Sequence, residues 1–89
     1  MNKAEMVISL LTEAVRWEPN SVGGIKGVYT SRADIEFRID INPHKNRFSW
    51  VVGRVSSDRF VNQGESSSED SAKVDAIKFI RSMEARGIA

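Results

Sequence analysis

The chain carries one histidine, His44, in the polar run Asn42-Pro43-His44-Lys45-Asn46. A catalytic triad or a metal site needs several side chains converging on one point, and a single imidazole beside Lys45 and Arg47 supplies none. It reads as a solvated turn residue or, as a loop residue, a ligand contact. Without cysteine there is no thiolate nucleophile, no cysteine-held zinc or iron–sulfur centre and no disulfide. Asp34, Glu36 and Asp40 offer carboxylates, but Arg38 interrupts them and their spacing puts them on the outer side of a strand, where charges serve solubility. Gly23-Gly24 lacks the strand before it and the lysine and hydroxyl after it that a phosphate loop requires, so it reads as a turn. No general base stands in a recognisable frame with any serine. The expectation is a protein that is not an enzyme and uses no metal or cofactor.

Two tryptophans could stack on nucleobases, yet their settings favour packing. Trp50 alternates with Phe48 and Val52 on one side of a strand, and Trp17 sits at the end of an apolar helical stretch. The elements that must position these residues follow from periodicity. Asn2 and Glu5 form a capping-box pair ahead of Ala4, Val7, Leu11, Ala14 and Val15 at helical spacing, which predicts a first helix ending before Pro19. Residues 18–33 read as a connector, with Ile25 to Tyr29 as a candidate edge strand. Ile35, Phe37, Ile39 and Ile41 alternate with Asp34, Glu36, Arg38 and Asp40, the period-two pattern of a half-buried antiparallel strand. A turn over residues 42–46, a second strand from Arg47 to about Val55 and a third from Phe60 to about Gln63 complete a sheet. Ser66 with Glu69, or Ser67 with Asp70, caps a last helix whose stripe is Ala72, Ala76, Phe79, Ile80 and Met83, with Gly87 as its stop.

The expected fold is therefore α+β in the order α-β-β-β-α: one domain over residues 1–89, a three-stranded antiparallel sheet with two helices packed on one face. On that sheet Phe60 and Asn62 are expected to face the helices. Val51, Val55 and Val61 are expected to face out, as ordinary surface or, if contiguous, as a strip marking an interface.

Eighty-nine residues, 40% of them hydrophobic and 28% charged, hold one core and no more. Thirteen basic against twelve acidic residues give a net charge of +1, without the basic excess that supplies affinity for duplexes. The absence of cysteine points to a reducing, cytoplasmic setting. The N-terminal residues have no cleavable signal layout, and Glu5 and Glu13 break their apolar run, so no membrane role is expected.

From Pro43-His44, through Phe48 four residues beyond the histidine and the alternation Phe48-Trp50-Val52, to Gly64, Ser68, Ala72 and Lys73, the chain resembles the double-stranded RNA-binding domain family. The likeness spans about residues 34 to 83 and implies the α-β-β-β-α order. It also implies RNA contacts by His44, Lys45, Arg47 and Lys73. The family's two phosphate-gripping lysines are here Glu69 and Asp70, and its loop glycine is Asn42. Anions where phosphates should bind repel them, and members lacking the lysines commonly serve as protein contacts. The expected function is accordingly a protein-interaction or dimerisation module with a protein partner or self-association, using Val51, Val55 and Val61. Nucleic-acid binding through His44, Lys45, Arg47 and Lys73 is the alternative.

Overall fold

A computed structural model of the chain describes residues 15–57 and 59–87. Five strands, β1 (Glu18–Pro19), β2 (Ile25–Thr30), β3 (Glu36–His44), β4 (Arg47–Arg54) and β5 (Phe60–Ser66), precede one helix, α1 (Glu69–Ala85). The strands form a single antiparallel meander in the order β1-β2-β3-β4-β5. Helix α1 packs on one face, against β3, β4 and β5.

This corrects the expected three-stranded sheet with two helices. The expected first helix lies, through residue 14, outside the described residues; Val15 to Trp17 are not helical. The expected connector is a hairpin arm. Ile25, Gly27 and Tyr29 pair with Ile41, Ile39 and Phe37, so β2 is an inner strand rather than an edge. Its period-two pattern is broken at the middle inward position by Gly27, where a side chain would collide with Val15 and crowd Trp17. The missing side chain makes room for the segment that crosses it.

Inward residues of three strands build the core, Tyr29 among them on β2. Phe37, Ile39 and Ile41 on β3 and Trp50 and Val52 on β4 meet Ala72, Ala76, Ile77, Ile80 and Met83 on α1. The β3 alternation holds as expected, with Glu36 exposed, while Ile35, Asp40 and Phe48 are half-buried. Strand β3 runs on through His44, leaving a two-residue turn at Lys45-Asn46 with Lys45 in the left-handed region (φ 56). Pro43 is tolerated because it lies beyond the last β2 partner, where one side of β3 has no neighbour needing an N–H.

The helix cap differs from both expected boxes. Ser68 is the N-cap and Ser71 its reciprocal partner. Ser66 is still in β5, paired with Phe48, and is buried; its hydroxyl donates to Asp75 Oδ2 at 2.6 Å. Gly87 (φ 74) follows the C-cap Arg86 and ends the helix in the conformation glycine adopts most readily.

Where β4 meets β5 the register slips: Val52 pairs with Asn62 but Gly53 pairs with Phe60. This β-bulge places Val61 against the core and turns Phe60 outward, 71% exposed. The expected facing of these two residues is thereby reversed. Gly53 permits the bulge, since a Cβ there would sit 3.1 Å from the Arg59 carbonyl oxygen.

Candidate interaction surface

The sheet face away from α1 carries the surface of interest. Register lines cross it: Val28 pairs with Arg38, Arg38 with Gly53 and Gly53 with Phe60, one residue from each of four strands. Directly opposed residues in antiparallel strands share a face, so these four form one row. Val51, opposite Asp40, flanks the row on one side. Val55 flanks it on the other, its N–H donating to the Glu36 carbonyl at 3.1 Å. The large hydrophobics most exposed among the described residues are Phe60 (71%), Val22 (67%), Val55 (50%) and Val28 (42%). All but Val22, in the β1–β2 turn, lie in or beside this row. Of the expected strip, Val51 and Val55 are on the open face and Val61 is not. Phe60 was missed because the sequence signal for a bulge, a glycine inside a strand at Gly53, is easily read as neutral.

Charges around the row are matched in pairs. Lys26 Nζ lies 3.9 Å from Glu18, Arg38 Nε 3.3 Å from Asp40 and Arg47 Nε 3.6 Å from Glu65. Each exposed pair stabilises by no more than about 1 kcal/mol, but together they leave the face close to neutral. Two shallow grooves flank the row. One of about 370 Å³ is lined by Arg16, Glu18, Lys26, Val28 and Arg38, and one of about 520 Å³ by His44, Ser49, Val51, Gln63 and Glu65.

The expected nucleic-acid residues do not join into a stripe. His44 and Arg47 are a cross-strand pair on the open face, and Lys45 is at the turn tip. Lys73 is on α1, against the other face of the sheet. Its Nζ lies 3.6 Å from Asp70, 3.9 Å from Glu69 and 5.5 Å from the centre of the Trp17 ring. Glu69 and Asp70 thus neutralise the one cation that the resemblance places beside them. Among the described residues no three His, Cys, Asp or Glu side chains gather as a metal site would require, and no helix is long and apolar enough to cross a membrane.

Two polar clasps hold the sheet that carries this face. Asn20 accepts from the backbone N–H groups of Val22 and Gly24 and donates to Asn42 Oδ1 at 2.7 Å, fastening the β1–β2 turn to β3. The Tyr29 hydroxyl donates to Glu84 Oε1 at 3.0 Å, and Arg32 Nε stands 3.6 Å from the other carboxylate oxygen, tying the end of α1 to the β2–β3 turn. Burial, above all, raises the Tyr29 pKa; Arg81 opposes the shift and Glu84 adds to it. A raised phenol pKa means the folded state favours the protonated form. Its stabilising contribution is complete below the unfolded pKa and disappears as pH climbs through the higher folded value. Tyr29→Phe is expected to cost about 1 kcal/mol at neutral pH and to flatten the alkaline fall in stability, read from urea midpoints between pH 7 and about 11. An unchanged alkaline slope would show that Tyr29 does not titrate with unfolding.

The chain matches no protein-family model, no curated protein and no solved structure.

Proposed function

We propose that this chain is a non-enzymatic protein-interaction module that presents the open face of its sheet to a protein partner or to another copy of itself. The observation carrying the reading is the register-aligned row Val28-Arg38-Gly53-Phe60, flanked by Val51 and Val55. Exposed Val28, Val55 and Phe60 and half-exposed Val51 on one sheet face, interspersed with paired charges such as Arg38–Asp40, are the composition of a protein contact. The paired charges of the face support the same reading, because a phosphate-binding surface depends on cations left free to replace counterions. A cysteine-free chain fits a reducing cytoplasm.

The test is affinity capture from a nuclease-treated lysate of the source cells, using the unaltered chain and a Val28→Asp, Phe60→Asp variant. Both positions are exposed, so folding should be kept, and helical circular dichroism checks it. Capture of a protein by the unaltered chain and its loss in the variant are expected. Equal capture by both would place the contact elsewhere. Binding of nucleic acid is excluded in parallel by titrating a short RNA duplex near 150 mM salt. Affinity weaker than about 10 µM is expected, and submicromolar binding would overturn the reading.

A further inference from the structure

We infer that the partner of this module is a protein with an acidic and apolar segment. Its carboxylate enters the groove between Arg16, Lys26 and Arg38, and its apolar side chain covers Val28 and Phe60. The inference rests on the interaction reading above and adds to it a site and the chemistry of the occupant. The groove, about 370 Å³, lies on the β1–β2 side of the open face, and Gly27 and Val28 complete its wall.

Cations outnumber carboxylates here. Glu18 is the one anionic lining residue, and Asp40 takes part only as the ion-pair partner of Arg38, at 3.3 Å. The Lys26–Glu18 pair is loose, 3.9 Å apart, with both side chains well exposed. Arg16 is exposed and has no ion pair among the described residues. The other ion pair of the face, Arg47 with Glu65, is balanced, and the exposed Glu36 stands away from the groove, opposite Thr30. The size of the surplus chooses the ligand. Three cations against Glu18 and Asp40 leave one positive charge, enough for a single carboxylate. A nucleic-acid strand brings a phosphate every ~3.4 Å and would meet both carboxylates as well. It also has no side chain to cover Val28, which is 42% exposed. A protein segment supplies both groups, and the planar forks of Arg16 and Arg38 suit a carboxylate. From Arg38 on β3 to Phe60 on β5 is two strand spacings. That distance, about 10 Å, is covered by about three extended residues, so the motif is an Asp or Glu with a large apolar residue roughly two to four positions away.

Selection of a random short-peptide library on the immobilised chain tests this directly. Peptides combining Asp or Glu with a large apolar residue at that spacing are expected. The consensus peptide, titrated by fluorescence, should lose about tenfold in affinity in the Arg16→Glu variant. It should bind about threefold tighter to Glu18→Gln, a gain that misfolding cannot produce. Its affinity for the unaltered chain should fall as salt rises from about 50 to 500 mM. Selection of basic or uncharged peptides, no selection at all, or affinity indifferent to both substitutions overturns the inference. So does equal binding of inorganic phosphate or a short RNA duplex. A second copy filling the groove, seen in sedimentation equilibrium as a dimer that Glu36→Gln disperses, overturns it too. Uncharged peptides lost with Val28→Asp, Phe60→Asp would leave the interaction reading standing, whereas no peptide and no capture from lysate would end both.

Discussion

Replacing Trp50 with alanine is expected to remove about 3–5 kcal/mol of stability, the cost of deleting a large aromatic from a packed site. The indole is buried between the sheet and α1, with its ring centre 6.3 Å from that of Phe79. It also lies flat over Gly64, its cross-strand partner: a Cβ there would meet the ring carbon Cζ2 at 2.6 Å. Neither neighbour can refill the space, because Gly64 has no side chain and Phe79 is fixed on a helix. Native domains hold only about 5–15 kcal/mol in total, and one this small sits toward the lower end. The variant should therefore be largely unfolded by modest urea. A loss below about 1 kcal/mol would mean that Trp50 is not a core residue.

Gly24→Ala is the second large effect, expected at about 3 kcal/mol. A Cβ at this position would run into the Ile41 carbonyl oxygen and Asn42 Oδ1, and would lie 2.9 Å from Asn20 Nδ2. The first obstacle is backbone in the middle of the sheet and does not yield. The β1–β2 turn would have to lift off β3, breaking the Asn20–Asn42 bond and the turn that Asn20 organises. Gly23→Ala, one residue away, is the control. It has nothing within 4 Å and only its positive φ of 85° to oppose it, so about 1 kcal/mol is expected. Urea denaturation of both variants checks the contrast. Similar losses would show that the two glycines matter only for backbone conformation.

The same residues mark how far the sequence could be read. Ile35 to Ile41 and the stripe from Ala72 to Met83 were legible because each buries one side and repeats at its own period. Strand β2 was half legible, since a glycine stands where the pattern needed a large residue and Val15 and Trp17 from the segment before β1 fill the space. The start of α1 is ambiguous among three consecutive serines: pairing with Phe48 keeps Ser66 in β5, and the bonds exchanged between Ser68 and Ser71 make Ser68 the cap. Facing on β5 was misread because one extra residue in the strand reverses every side chain beyond it, so Phe60 was assigned to the core and Val61 to the surface. The clasps Asn20–Asn42 and Tyr29–Glu84 join residues 22 and 55 positions apart, which no local pattern reaches. Positions that suggested the RNA-binding resemblance have packing and capping roles in this fold. Gly64 makes room for Trp50, Ala72 is core and Ser68 is the cap.

The open face can be observed directly. Methyl- and aromatic-labelled protein, titrated with nuclease-treated lysate and separately concentrated on its own, gives one spectrum in which each side chain reports its surroundings. The account predicts shifts or broadening at Val28, Val51, Val55 and Phe60, with Ile39 beneath α1 and Ile77 and Ile80 on its buried side unchanged. Perturbation confined to Trp17 and the residues around Lys73, or none at the four open-face side chains in either titration, would contradict it.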